Sequence, residues 1–191
     1  EAGSMIQYRP ATTEDAAALS ELGRASFVDA FGQLYSADNL NIFLNQAYSQ
    51  AAVEAELANP RRLFRIAERD RRMVGYCKVG FDVTLDHEPG DRQVMELKQL
   101  YLLGRETGGG VGAALMAWAL DEARARGFDD IILSVWSGNH RAQRFYARHG
   151  FEKIGDTIFM VGNHRDEEYL LGLRLEADRI SDYPAAPPEQ R

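Results

Sequence analysis

The chain has 191 residues, of which 45% are hydrophobic and 27% are charged, and its formal net charge at pH 7 is -7. This length and composition are typical of one globular domain with a buried core. The acidic balance argues against a nucleic-acid partner, because phosphate binding requires a basic surface.

The first half of the chain is predicted to contain one strand, two helical stretches and three further strands. Residues 5–12 alternate apolar and polar side chains, as a strand does. Thr12 can cap a helix that runs to Phe31, and a second helical stretch continues to about residue 58, where Asn59-Pro60 ends it. Short connections between the next strands favour an antiparallel meander. These strands cover residues 62–69, 73–81 and 93–103.

The second half is predicted to alternate helices and strands. A helix over about 110–126 ends at Gly127, and the nearly continuous apolar run at 130–136 is typical of a strand buried on both faces. A helix at 139–150 and a final pair of strands follow. The strand–helix–strand unit at 94–135 should form a parallel crossover. The predicted fold is therefore α/β, a single domain with a mixed sheet of about seven strands and helices on both faces.

The chain ends and the rare residue types add further expectations. We interpret residues 1–4 as a cloning remnant before a native start at Met5, residues 5–176 as the domain, and the proline-rich residues 177–191 as a flexible tail. No secretory signal follows Met5, and no apolar stretch approaches the roughly 20 residues of a membrane helix. A cytoplasmic protein without a membrane partner is predicted. The single cysteine, Cys77, cannot form an internal disulfide, and the histidines lack metal-binding spacing, so no metal is predicted.

The segment RETGGGVGAALM at 105–116 places four glycines in five positions directly before a predicted helix. A P-loop is excluded, because Gly110 and Val111 stand where lysine and serine or threonine are required. A dinucleotide fingerprint is formally present, but it lacks the acidic residue expected about 20 positions later. A loop whose amides bind a pyrophosphate at the helix N-terminus fits better. A tight turn with close helix packing is the alternative.

The segment NHRAQRFYARHGF at 139–151 places aromatic and apolar side chains on one side of the next predicted helix. Ordinary core packing explains Ala142, Phe145 and Phe151. Tyr146 differs from them, because a buried hydroxyl needs a polar partner. Asn139 is a typical helix cap that a ligand passing between two strands could also contact.

In this order and at this spacing, the two segments resemble the GNAT superfamily of acetyl-coenzyme A-dependent N-acetyltransferases. The resemblance extends over roughly residues 5–175. It departs at Thr107, where the family usually has glutamine or arginine. The segments ELKQLYLL and GDTIFMVGN are also similar to bacterial polyamine-acetyltransferase-like members.

The resemblance implies a sheet that is splayed between its fourth and fifth strands, with the pantetheine arm of acetyl-coenzyme A lying in the gap. The backbone of the fourth strand would hydrogen-bond this arm, and the amides of the glycine segment would hold the pyrophosphate. The residues implied in cofactor binding are Leu100, Leu102, Thr107, Gly108, Gly109, Gly110, Val111, Gly112, Asn139 and Phe145.

The resemblance also implies direct attack of an amine on the thioester, without a covalent enzyme intermediate. Tyr146 matches the position of the general acid that protonates the departing thiolate. Glu96 stands where many relatives carry a carboxylate that acts as base, directly or through water. The alternative is that Glu96 pairs with Lys98, since the alternation along a strand predicts that Glu96, Lys98 and Leu100 share one face.

The implied acceptor is a primary amine of a small molecule, and a polyamine is one candidate. The resemblance places its site near Phe31, Tyr35, Asp82 and Asp86. These carboxylates could attract a cationic amine, or they could belong to an ordinary solvated loop. Alternative functions are a non-catalytic acyl-coenzyme A-binding module, a protein N-terminal or lysine acetyltransferase, and a nicotinamide-dependent oxidoreductase. Dimers are common in such folds, so a homodimer is one expected assembly.

Overall fold

A computed structural model describes residues 4–175 of the chain. Within those residues it contains one sheet of seven strands and five α-helices. The strands are β1 (Gln7–Pro10), β2 (Arg62–Arg69), β3 (Arg72–Gly80), β4 (Val94–Leu102), β5 (Asp130–Trp136), β6 (Glu152–Val161) and β7 (His164–Arg174). The helices are α1 (Ala16–Phe31), α2 (Ala37–Ala47), α3 (Gln50–Ala58), α4 (Val111–Ala125) and α5 (His140–Arg148). The predicted tail at 177–191 and residues 1–3 of the predicted cloning remnant lie outside the described residues.

The strands form a mixed sheet in the order β1-β2-β3-β4-β5-β7-β6. β4 and β5 pair in parallel, and every other neighbouring pair is antiparallel. This confirms the predicted mixed sheet, with its antiparallel meander and a parallel pair joined through α4. β7 lies between β5 and β6, so the last strand of the described chain borders the parallel pair.

Helices cover both faces of the sheet, as predicted. On one face, buried side chains of α4 such as Leu115 and Met116 pack against Met95 and Ile131. On the other face, Leu19 of α1 and Val53 of α3 belong to a second buried cluster with strand residues such as Ile66. The sheet therefore separates two apolar layers, and any opening in it connects them.

The helical stretch predicted to run to about residue 58 consists of two helices. α2 ends at Ala47, and α3 begins at Gln50. The Ser49 hydroxyl accepts a hydrogen bond from the Ala52 amide at 3.1 Å and so caps α3. The chain therefore changes direction beside Tyr48, whose buried ring packs with α1.

The sheet is splayed between β4 and β5, as predicted. The two strands pair only over Val94–Glu96 and Asp130–Ile132, and their remaining residues diverge. A β-bulge in β4 begins immediately after the last pair, because Val79 pairs with Leu97 and Lys78 pairs with Gln99.

The bulge corrects the prediction that Glu96, Lys98 and Leu100 share one face. Leu97 and Leu100 both pack in the cluster beneath α4, three residues apart. An extra residue in one strand shifts the alternation of all side chains that follow it. Tyr101 consequently faces the layer beneath α1.

Candidate active site

A cleft of about 600 Å³ opens where β4 and β5 diverge. Residues of α1, β6 and β7 line its part on one face of the sheet, and residues of α4 and α5 line its part on the other. Side chains of the diverging halves of β4 and β5 form its walls. The cleft therefore passes through the sheet and joins the two layers.

The glycine segment forms the turn that connects β4 to α4 at one end of the cleft. Gly108 and Gly110 have φ values of +84° and +86°, a conformation that L side chains rarely adopt, and a Cβ at either position would meet open space. Within the described residues, no backbone carbonyl accepts from the N–H groups of Gly108, Gly109 or Gly110. The first turn of α4 adds further N–H groups without intrahelical partners. This end of the cleft is suited to an anion.

Thr107 closes the turn that precedes the glycines. Its hydroxyl donates to the Gly104 carbonyl oxygen at 2.6 Å, and its amide donates to the same oxygen at 3.3 Å. Glu106 is buried and pairs with Arg69 at 3.1 Å, which ties the turn to β2. Arg105 points to solvent with 69% of its side chain exposed. Within the described residues, Thr107 therefore has a hydrogen-bonding role inside the turn itself.

Most of the predicted cofactor-binding residues line the cleft. They are Leu100, Leu102, Thr107, Gly108, Gly110, Gly112, Asn139 and Phe145. Val111, the first residue of α4, is instead buried, and Gly109 lies in the turn between two glycines that do face the cleft. The Asn139 side chain accepts from the Ala142 amide at 3.1 Å, which is the capping role that the sequence also indicates.

Three basic residues outside the predicted site also line the cleft: Arg141 and Arg148 of α5, and His149 directly after it. Arg141 and Arg148 are seven residues apart, a spacing that returns to the same side of a helix. Helical periodicity applied to the charged residues of this segment would have identified them.

Tyr146 lies on α5 and lines the cleft. Its half-buried ring contacts Phe145 and Phe151 edge-on, with ring centroids 5.4 and 5.8 Å away. No residue of the described chain hydrogen-bonds its hydroxyl. Burial raises the pKa of Tyr146 above its usual value, so the phenol carries its proton at neutral pH.

Glu96 is buried and does not line the cleft. Its carboxylate accepts from the Thr84 amide at 2.8 Å and from the Leu85 amide at 3.3 Å. Lys98, a residue at the wall of the cleft, donates to it at 2.8 Å. Glu96 therefore connects the loop after β3 to the bulge of β4.

The predicted acceptor residues are not all at the cleft. Phe31 lines it. Tyr35 stacks on Phe27 at 6.0 Å between centroids and donates its hydroxyl to Asp166. Asp82 pairs with Arg62, and Asp86 is exposed in the loop after β3. Neither of these two carboxylates lines the cleft, and the loop that carries them is held through Thr84 by Glu96, which also lies outside the lining.

Five aromatic side chains line the part of the cleft near α1: Phe27, Phe31, Tyr101, Trp136 and Phe159. Glu168 of β7, which the sequence analysis did not select, lies among them as the one acidic residue lining the cleft within residues 4–175. Burial raises the pKa of Glu168, and a hydrogen bond with the Ser134 side chain lowers it by less. The buried hydroxyl of Ser26 also lines this part and has no hydrogen-bond partner among the described residues.

Residues 4–175 lack both a metal-binding cluster and a membrane-spanning helix. They contain no cluster of three or more histidine, cysteine, aspartate or glutamate side chains placed to hold a metal ion. None of their helices combines the length and the apolar character needed to cross a membrane.

Comparison with known proteins supports the resemblance that the two segments show. The model of the acetyltransferase (GNAT) family matches residues 27–151. An uncharacterized N-acetyltransferase from Mycobacterium bovis is 33% identical over 157 residues, which are 82% of this chain and 96% of that protein. An uncharacterized N-acetyltransferase from Lactobacillus delbrueckii is 27% identical over 150 residues, which are 78% of this chain and 86% of that protein.

Solved structures share the fold. The PaiA N-acetyltransferase from Thermoplasma acidophilum, in complex with coenzyme A, superposes with a TM-score of 0.73 at 20% identity, covering 90% of this chain and 99% of that one. A putative acetyltransferase from Salmonella typhimurium, solved with acetyl-coenzyme A, gives a TM-score of 0.68 at 20% identity, covering 95% and 99%. Because the family model covers most of the chain and a relative at 33% identity extends over 82% of it, the chain belongs to the acetyltransferase (GNAT) family.

Proposed function

We propose that this protein transfers the acetyl group of acetyl-coenzyme A to a primary amine of a small molecule, by direct attack in a ternary complex. The observation that carries the proposal is the cleft that passes through the sheet between β4 and β5. It gives two substrates access from opposite faces, so that they meet at the walls that Tyr146 and β4 provide.

Acetyl-coenzyme A would enter from the side of α4 and α5. Beyond Glu96, the edge of β4 that faces β5 has lost its ladder partner, so the backbone of Leu100 and Leu102 is available to a pantetheine arm. The unpaired amides of residues 108–110 would hold the pyrophosphate, with Arg141 and Arg148 supplying positive charge.

Tyr146 would act as the general acid. Tyr146 lines the cleft, and its protonated hydroxyl has no competing partner in the described residues, so it is available to donate to the sulfur of the departing thiolate. A covalent intermediate on Cys77 is disfavoured, because that thiol is completely buried and burial raises its pKa far above neutrality.

The base role of Glu96 stays a prediction. Its carboxylate already accepts bonds from two amides, the Thr84 hydroxyl and Lys98. Removing a proton from an amine would require a path to it past Lys98. We therefore propose that its main effect on the reaction is to hold Lys98 and the bulge of β4 in place.

The identity of the acceptor amine is the most specific part of the proposal. A polyamine stays a candidate, but the carboxylates of Asp82 and Asp86 lie away from the cleft and do not contribute to binding there. The experiment is a screen of purified protein with acetyl-coenzyme A and a panel of amines, following the release of free thiol. The panel contains monoamines, polyamines, amino acids, amino sugars and a peptide with a free N-terminus.

We expect amine-dependent thiol release with at least one small amine, above the rate of acetyl-coenzyme A hydrolysis without acceptor. Thermal stabilisation by coenzyme A without transfer to any amine would identify a binding module instead. Transfer to the peptide alone would identify a protein acetyltransferase. Stabilisation by NAD and not by coenzyme A would contradict the proposal entirely.

A further inference from the structure

The part of the cleft near α1 combines an aromatic lining with a single carboxylate. Glu168 is the carboxylate, and it pairs with Trp136 in the register of β5 and β7. Thr157 of β6 lies on its other side. Three neighbouring strands therefore place Glu168 in the interior of the sheet, away from the flexible ends of loops.

The direction of the Glu168 side chain follows from its neighbours. Side chains of β7 alternate, and Leu170, two residues later, packs with Ile132 in the cluster on the face opposite α4. Ser134 and Trp136 of β5 continue the same face from Ile132 and line the cleft with Glu168. Glu168 thus faces the side of the sheet that is opposite the glycine turn.

Glu168 differs from the nearby Asp166 in its partners. Asp166 accepts a hydrogen bond from Tyr35 and lies 3.1 Å from His164, so its carboxylate already has two partners. No lysine, arginine or histidine among residues 4–175 forms a salt bridge with Glu168. A half-buried carboxylate without a cation costs free energy unless a ligand supplies one.

We propose that Glu168 binds the ammonium group of the acceptor and accepts its proton, and that the acceptor is a monocationic amine with an apolar body. The inference rests on the proposed acetyl transfer for its chemical step. The aromatic rings around Glu168 suit both parts of such a molecule, because ring faces attract a cation and also bury apolar surface.

The cleft favours one positive charge on the acceptor. Within the described chain, Glu168 is the one acidic residue that lines it. A second ammonium group would find no second carboxylate in the cleft. A polyamine that enters the cleft would therefore desolvate a second charge without a partner, a cost that a monoamine avoids.

The reaction balances with Glu168 as the first proton acceptor. One ammonium proton moves to its carboxylate, and the neutral amine nitrogen forms a bond to the thioester carbonyl carbon. The carbon–sulfur bond then breaks, the sulfur takes the Tyr146 proton, and the nitrogen returns a proton to the Tyr146 oxygen. Glu168 finally releases its proton to water, which leaves the amide, coenzyme A and one proton.

The test compares Glu168→Gln with Glu167→Gln in the full chain. Glu167 is the adjacent residue of β7, and its exposed side chain lies on the opposite face, so its replacement makes the same change of charge outside the cleft. With 2-phenylethylamine as acceptor, we expect E168Q to lower kcat/KM by roughly tenfold to hundredfold, as loss of a hydrogen bond to a charged group does. We expect E167Q to behave as the wild type. An E168Q variant with wild-type kcat/KM for the amine would overturn the proposal.

A second comparison tests the class of acceptor. We expect 2-phenylethylamine to have a higher kcat/KM than spermidine with the wild type, and 2-phenylethanol, which carries no charge, not to compete with it. A preference for spermidine would overturn the assignment of a monocationic acceptor, and effective competition by the alcohol would overturn the role of the ammonium group.

A binding measurement separates this inference from the proposed function. 2-Phenylethylamine is titrated calorimetrically into each variant saturated with coenzyme A. Binding that E168Q weakens and E167Q preserves supports the acceptor site even where no acetyl transfer occurs, in which case the proposed function alone fails. Binding that is equal in all variants, or absent from the wild type, overturns the inference whatever the screen for transfer shows.

Discussion

The ammonium nitrogen of Lys98 lies 2.8 Å from a carboxylate oxygen of Glu96, and both side chains are less than one tenth exposed. The pair sits where β4 bulges and separates from β5. Because the same carboxylate accepts from the Thr84 and Leu85 amides, this one contact joins a loop, the bulge and the wall of the cleft.

We expect Glu96→Gln to lower the free energy of unfolding by about 3 kcal/mol, because it leaves the Lys98 charge buried without its partner. Urea denaturation measures the change. Glu122→Gln is the matched control, since Glu122 pairs with Arg126 at 3.1 Å on the surface of α4, where an ion pair contributes only about 0.5 kcal/mol. Addition of Lys98→Met to E96Q should restore part of the lost free energy of unfolding, because it removes the unpaired charge. Equal stability of E96Q and E122Q would contradict the structural role of the pair.

Replacement of Gly108 or Gly110 by alanine should cost about 1–2 kcal/mol of stability, because both have positive φ values that a Cβ disfavours. The distorted turn should also weaken the thermal stabilisation by coenzyme A. Gly104→Ala is the control, since a Cβ there meets open space without a positive φ. The proposal for the glycine turn fails if G108A and G110A bind coenzyme A as tightly as G104A does.

Tyr146→Phe should lower kcat by about a hundredfold, which is typical for the loss of a general acid. The KM for acetyl-coenzyme A and the stability should change little, because the hydroxyl has no hydrogen-bond partner in the described residues. Steady-state kinetics with saturating amine provide the measurement, and Tyr8→Phe on the distant strand β1 is the control. An unchanged kcat in Y146F would remove Tyr146 from the mechanism.

The pH dependence of stability should reveal Glu168 independently of activity. Burial raises its pKa in the folded protein above the unfolded value, so its contribution to stability is fully present below the unfolded pKa. That contribution is lost as the pH rises through the folded pKa. The titratable groups nearest to it are Asp166 on its own strand, Tyr35 beside α1 and Tyr101 on β4.

Glu168→Gln should therefore gain stability relative to the wild type as the pH rises from about 4 towards neutrality, starting at the usual carboxyl pKa. Chemical denaturation at a series of pH values measures the difference between the two proteins. Groups with lowered pKa values, such as Asp15 beside Arg9, contribute equally to the stability of both proteins. Their effects therefore cancel in the difference. If the free energies of unfolding of E168Q and the wild type differ by the same amount at every pH in this range, the pKa of Glu168 is not raised.

The local sequence predicted the elements and the turn between β4 and α4 well. Alternation and helical periodicity depend on which side chains are apolar, and the sequence alone identifies those side chains. Glycine clusters before helices also have a local cause, and Gly108 and Gly110 do adopt the positive φ values that explain two of the four glycines. The splay between β4 and β5 agreed with what the resemblance implies.

Positions that depend on distant neighbours were predicted less well. The alternation rule placed Leu100 with Glu96, but the pairing of β4 with β3 inserts a bulge at Lys98 and reverses the faces. Asp82 looked available for a cationic ligand, but Arg62 from another strand neutralises it.

The sequence by itself determined the family, the order of the elements and the residues of the glycine turn, because each depends on the nature and spacing of residues close together in the chain. Only the tertiary structure decided which carboxylate lines the cleft. In the sequence EEYLL, Glu167 and Glu168 are equivalent neighbours. The insertion of β7 between β5 and β6 directs one of them into the cleft beside Trp136 and the other towards solvent. That choice comes from pairing between strands more than thirty residues apart, which no local pattern contains.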